Sequence, residues 1–217
     1  SGKIQINKLL AGNGYNQGIR DLLARLLLQP EFGLEEQQAN DLIDALKDWM
    51  DKDDEVTGGG AENGYYAGLA KPYAAKNGPL DCIDELMMIR GITPELYHGT
   101  GNRPGLKHLL TVYGDGRINI NTAPLPVLRA LSLTMTSEAA EQIDEYRRKV
   151  GEDLSGLDWY RKAAAGVDIG AQLITVQSSH FRIVSTGVAE SMTRSVQGAV
   201  MRSQDKKTMK ILSWKAG

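Results

Sequence analysis

Cysteine is almost absent: Cys82 stands alone in 217 residues, so no internal disulfide can staple the chain. It sits in an apolar run, LDCIDELMMI, that reads as a helix, and is expected to be a buried, inert thiol. Histidine is scarce as well. His98, His108 and His180 belong to no HExxH pattern and stand beside no nucleophile elbow, so each reads as a surface or turn residue. No stretch approaches the roughly 18 consecutive apolar residues that a membrane span requires, and no signal peptide is visible. A phosphate loop needs GxxxxGK followed by Ser or Thr between a strand and a helix. Neither Gly58-Gly59-Gly60 nor Gly114-Asp115-Gly116 belongs to one, and these glycines are expected to supply positive φ at turns. A surplus of positive charge is also missing: 25 Lys and Arg against 27 Asp and Glu leave a net charge of -2, without the basic domain typical of nucleic-acid binding. Nothing in this inventory supports catalysis or a small-molecule substrate, and the chain reads as non-enzymatic.

With 41% hydrophobic residues, the chain can bury a sizeable core and accommodate two or more modules. Its most concentrated feature runs from Asp48 to Tyr66, DWMDKDDEVTGGGAENGYY. Asp48, Asp51, Asp53, Asp54, Glu55 and Glu62 crowd into it around the glycine triplet. Six neighbouring carboxylates repel one another, so the stretch is either a solvated, mobile loop or a cage for a hard cation. An amphipathic helix leads in through Leu42, Ile43, Leu46 and Trp49, and Tyr65-Tyr66 close the far side; linkers seldom have such anchors. The spacing departs from an EF-hand, because Asp54 and Glu55 break the alternation of Asp51 and Asp53.

Along the chain, GKIQINKLL alternates like a short strand, and apolar positions at helical spacing predict helices over Ile19–Leu28 and Leu34–Met50. A helix is expected over Leu80–Ile89. Arg90-Gly91-Ile92 then links it to a short helix capped by Thr93 and begun by Pro94, the outline of a helix-hairpin-helix or SAM-like pair. Gly116-Arg117-Ile118-Asn119-Ile120-Asn121 echoes Gly2-Lys3-Ile4-Gln5-Ile6-Asn7, which hints at two helical subdomains, each introduced by a similar strand. Helices are expected over Leu125–Leu131 and from Thr136 onward. From Ser179 the period shifts to three strands, HFRIVSTGVA, SVQGAVMRS and TMKILSW, an antiparallel meander with one wet face. The fold is therefore expected to be α+β, with the helical part inserted in a sheet domain and the N-terminal strand pairing with the C-terminal meander. The expected boundaries are 1–12 and 173–217 for the sheet domain, 13–112 for a first helical subdomain carrying the acidic loop, and 113–172 for a second.

The sequence DWMDKDD, followed by GGGAENGYY, PYAAKNGPLDCIDEL, IRGITPELY and GRININTAPLPVL, resembles the K-type minor pseudopilin family of the type II secretion system (general secretion pathway protein K). That resemblance implies a pseudopilin sheet interrupted by two tandem SAM-like pieces. It also implies a place at the tip of the periplasmic pseudopilus, in a hetero-complex with I-type and J-type minor pseudopilins, in support of protein export. Calcium is implied in the acidic loop, with Asp48, Asp51, Asp53, Asp54 and Glu62 as candidate ligands. A full member begins with a hydrophobic helix anchoring it in the inner membrane, so these residues are expected to be a periplasmic fragment. The alternative is a helix-hairpin-helix nucleic-acid module built on Ile89-Arg90-Gly91-Ile92-Thr93 and on INTAPLPVLRAL. Its phosphate contacts would come from turn N–H groups and a nearby Arg or Lys; the single glycine, the nearby Glu95 and the negative net charge argue against it.

Overall fold

The chain begins with a two-residue strand, β1 (Ile4–Gln5), and a tight hairpin of β2 (Leu10–Ala11) and β3 (Gly14–Tyr15). The computed structural model describes residues 1–190, 192–203, 205 and 207–216, so the turns expected around Glu190-Ser191 and Gln204-Asp205-Lys206 lie partly outside them. Helix α1 (Gln17–Leu27) buries Ile19, Leu22, Leu23, Leu26 and Leu27 on one stripe. Helix α2 (Glu36–Met50) is fixed at its start by a capping box in which Glu35 and Gln38 satisfy each other's backbone N–H. The acidic loop follows, then α3 (Asn63–Ala67), a 3-10 helix over Ile83–Met88, and α4 (Pro94–His98). Thr93 caps α4 as expected, accepting the Leu96 N–H at 3.2 Å. A second hairpin, β4 (Gly99–Thr100) and β5 (Arg103–Pro104), leads to α5 (Leu106–Leu109) and β6 (Leu110–Thr111).

The second half repeats the plan with fewer parts: β7 (Ile118–Asn119), α6 (Leu125–Ala130), α7 (Ser137–Tyr146), 3-10 turns over Trp159–Lys162 and Ala171–Leu173, and β8 (Ile174–Thr175). β1 pairs with β6 in parallel, and β7 with β8 in parallel. Each helical unit is thus a loop of chain whose first and last strands meet. The echo between GKIQIN and GRININ marks these two closures. Asn7 and Asn121 hold equivalent places, and each amide stands in for missing backbone partners. Asn7 exchanges two hydrogen bonds with Leu80, at 2.9 and 2.8 Å. Asn121 donates to the Leu154 and Val176 carbonyls and accepts from the Trp159 indole at 2.8 Å.

This pairing corrects the expectation that the first strand joins the C-terminal meander. β1 is two residues long and wholly buried, and the parallel partner at β6 closes its own helical unit. The stretch expected as a helix over Leu80–Ile89 is also corrected. Leu80, Leu86 and Ile89 are buried with Ile83 partly so, a repeat of three that fits the 3.0 residues per turn of a 3-10 helix. On that winding Cys82 is exposed, not buried.

Three longer strands, β9 (His180–Ala189), β10 (Met192–Arg202) and β11 (Met209–Ala216), form the antiparallel meander, in the order β11-β10-β9. The chain is α+β. Cross-strand register sets Phe181, Val200 and Ile211 in one row and Ile183, Gly198 and Trp214 in the next, on one face. Trp214 packs over Gly198. The opposite face carries Arg182, Gln197, Ser213 and Lys215, and Lys215 reaches across to Asp84 at 3.2 Å. On the apolar face Val200 is buried, while Ile183, Ile211 and Trp214 are exposed. Both helical units share a single core, running from Ile4 through Leu46 and Val127 to Ile174. The seam lies between α1 and α6, where the Gln29 amide donates to the Pro126 carbonyl at 2.8 Å and the Arg25 guanidinium to the Ala130 carbonyl at 2.6 Å.

Candidate metal centre

The end of α2 and the start of α3 bring Asp48, Asp51 and Glu62 together. Each is buried, and one carboxylate oxygen of each lies within 4.8 Å of the other two. An ion with oxygen ligands at about 2.3–2.6 Å places opposing donors up to about 5 Å apart, so the group has the span of a Ca²⁺ shell. Three of these buried oxygens, Asp51 Oδ1 and both of Glu62, have no hydrogen-bond partner. Polar atoms in that condition are costly unless something offsets them.

The loop is shaped against α2 by a ladder of aspartates, of which sequence reading singled out Asp48 and missed Asp41 and Asp44. Asp41, Asp44 and Asp48 recur at i, i+3 and i+7, and the glycine triplet lies along them. The Gly59 N–H donates to Asp44 at 3.1 Å and the Thr57 N–H to Asp48 at 3.1–3.2 Å. A Cβ on Gly60 would come within 2.1 Å of an Asp48 carboxylate oxygen and 2.9 Å of the Thr57 carbonyl oxygen. Glycine is therefore required there for close approach as much as for turning. Asp44 also accepts the Tyr15 hydroxyl at 2.5 Å, and burial first, then that contact, pushes the phenol well up.

Lys47, also missed, is the nearest cation. Its ammonium donates to Asp51 and, at 2.8 Å, to the Thr57 hydroxyl, and stands 3.9 Å from Asp48. The i,i+4 spacing of Lys47 and Asp51 was the available signal. One lysine does not neutralise three buried carboxylates. Burial first, and then the charges of Asp48, Asp51, Asp54 and Asp53, push the Glu62 carboxyl up to about 7. Burial also raises Asp48, against the lowering effect of its Thr57 hydrogen bonds and Lys47. Asp53 and Asp54 stand outside the cluster. Asp53 accepts the Glu55 N–H at 3.1 Å, and Asp54 accepts the Asn63 and Asn77 amides at 2.5 and 3.3 Å.

An aromatic clamp holds the far side. Trp49 meets Tyr66 edge-on at 5.2 Å, and Tyr73 stacks on Tyr66 at 5.3 Å. Arg90 donates to the Gly60 carbonyl at 2.8 Å and lies over the Tyr65 ring at 5.1 Å. The arginine on which a helix-hairpin-helix phosphate contact would depend is thus turned inward to the acidic loop. The residues fit a hard cation: every donor is oxygen, and His and Cys, which zinc prefers, are absent from the group.

Comparison with known proteins agrees with this architecture. Residues 2–100 and 118–177 match two family models, both described as type II secretion system protein K. The chain is 34% identical over 132 residues to type II secretion system protein K of Pectobacterium carotovorum, covering 58% of this chain and 38% of that protein. It is 42% identical over 74 residues to the Aeromonas hydrophila protein, covering 34% and 22% respectively. It is 25% identical over 210 residues to that of Pseudomonas aeruginosa, covering 95% and 60%. The chain thus spans under two thirds of the length of these curated relatives. Its fold superposes, with a TM-score of 0.78 and 19% identity, on a chain in the crystal structure of the GspK-GspI-GspJ complex from enterotoxigenic Escherichia coli, covering all of this chain and 76% of that one. By its two family matches and the tandem helical units they fall on, the chain belongs to the type II secretion system protein K family.

Proposed function

We propose that these residues are the periplasmic part of a non-enzymatic minor pseudopilin, placed at the tip of the pseudopilus with I-type and J-type minor pseudopilins, where the assembly supports protein export. The observation that supports this reading is the pair of protein K family matches, together with superposition along the whole chain on a chain of the GspK-GspI-GspJ complex. No helix among the described residues is long and apolar enough to cross a membrane. In the reading proposed here, the inner-membrane anchor is a separate helix outside these residues. Calcium, held by Asp48, Asp51 and Glu62 with Asp53 and Asp54 as flanking charge, supplies the missing positive charge and fixes the loop between α2 and α3. Its role is structural, consistent with the clamp of Trp49, Tyr66 and Tyr73 packed on the same loop.

Light scattering on equimolar mixtures with the periplasmic parts of the I-type and J-type proteins from the same secretion system tests the assembly. A defined hetero-complex at micromolar concentration is the expected outcome. Monomers persisting in every combination, with calcium present, would overturn it.

A further inference from the structure

Away from the acidic loop, three cations converge on a cleft of about 510 Å³ between the end of the first helical unit and the polar face of the sheet. Lys3 enters from the segment before β1, Lys107 from α5 and Arg182 from β9. Lys215 lines the same cleft, paired with Asp84, the acidic residue of the lining. The other three rest on neutral acceptors. The Lys3 ammonium donates to the Lys107 carbonyl at 3.0 Å, Lys107 to the His98 Nδ1 at 2.8 Å, and Arg182 to the Gln197 side-chain oxygen. In a chain of net charge -2, three cations without a carboxylate partner among the described residues are a local departure from the whole.

All three histidines of the chain line this cleft too. They do not make a metal site: among the described residues the one group with ligand atoms at metal-binding separation is Asp48, Asp51 and Glu62. His108 registers the surplus charge. Burial first, then Lys107, Lys3, Arg182 and His98, holds His108 below its usual pKa, and burial followed by Arg182 lowers Lys3. Ile83, Leu110, Val112 and Leu212 form apolar walls between the charges. Walls of low dielectric focus the field of such a cluster on whatever anion enters. A hydrated inorganic ion would leave those walls wet, whereas a peptide places carboxylates on the cations and its aliphatic and backbone groups on the walls. The volume falls within the roughly 300–1,000 Å³ of sites that hold a drug-sized ligand, room for a short stretch of a peptide's side chains.

We propose that this cleft is a docking site for an acidic peptide segment of a partner protein, with carboxylates seated on Lys3, Lys107 and Arg182. The site stands apart from the calcium loop and does not depend on which partners the chain assembles with.

Fluorescence anisotropy of a labelled peptide alternating Glu and Leu, titrated with the calcium-loaded 217-residue chain, tests this. Binding is expected, weakening as salt rises. The variant Lys107→Glu with Arg182→Glu is expected to weaken it by about tenfold or more, the scale of a lost charge-assisted hydrogen bond. Lys71→Glu, an exposed charge outside the cleft, should leave it unchanged. Should the reversed variant melt without cooperativity, Lys107→Gln with Arg182→Gln carries the same expected weakening. Equal binding by either folded double variant, equal binding of a peptide alternating Lys and Leu, or displacement by sulfate at the same molar concentration as unlabelled acidic peptide would each overturn the proposal. The last of these would mean a free-anion site.

Discussion

Glu62 is the residue where the acidic loop's energetics concentrate, because it is 3% exposed and neither carboxylate oxygen has a partner. In the ion-free chain its carboxyl is pushed up from 4.5 to about 7, first by burial and then by its acidic neighbours. The folded state therefore holds this proton more tightly than the unfolded state. Below about pH 4.5 both forms are protonated; through the window up to about 7 the unfolded chain ionises first, and folding stability falls as pH rises. Above 7 the folded chain carries the buried charge in full. In chelator, Glu62→Gln should match the parent at pH 4.5 and be more stable at pH 8, by on the order of 2–3 kcal/mol. Excess calcium should reverse the order at pH 8, since only the parent offers a charged, two-oxygen carboxylate there. Thermal melts at the two pH values check this, and a variant that never gains on the parent in chelator would remove Glu62 from the unbalanced group. Gly60→Ala should act on the same site from the backbone. The added methyl meets Asp48 and the Thr57 carbonyl, so calcium affinity measured by titration calorimetry should drop even if the chain still folds.

Among the elements, α1, α2, α4 and α7 were legible because each carries a signal of its own: an apolar stripe of helical period, or a threonine cap before a short run. The 3-10 helix over Ile83–Met88 was not, because Leu80, Ile83, Leu86 and Ile89 satisfy a period of three and look helical until Cys82 is placed. The partner of β1 was illegible for another reason. Two residues specify no register, and only the closure of the helical unit decides between β6 and the meander. In the loop, composition pointed to carboxylates around a cation but could not rank them. Burial separates Asp48, Asp51 and Glu62 from Asp53 and Asp54, and burial depends on where α3 turns back. Although short, the 3-10 helix bears on the core: Leu86 is fully buried, so Leu86→Ala should cost roughly 2–5 kcal/mol in chemical denaturation, as buried Leu→Ala changes do. Met87→Ala, one position along and 37% exposed, should cost much less. Equal losses would mean that the three-residue repeat does not set which side packs.

At the scale of the whole molecule, the two helical units share one core, while the sheet touches them mainly through its polar face and the pairing of Lys215 with Asp84. Val200 is the sheet's buried apolar residue, and it lies outside the helical core. The helical units are therefore expected to open together and the meander to open separately. Ion binding to the folded form alone stabilises by RT ln(1 + [Ca]/Kd), about 2.7 kcal/mol at a hundredfold excess over Kd. That stabilisation should spread through the seam of α1 and α6 into the second unit, which holds none of the carboxylates. Amide exchange by mass spectrometry with calcium and with chelator reads this directly. Protection at Leu46 and at Val127 should rise by similar factors on adding calcium, while Val184 in β9 should barely change. If Val127 followed Val184 instead, the α1–α6 hydrogen bonds of Gln29 and Arg25 would join two units that unfold independently, despite their common core.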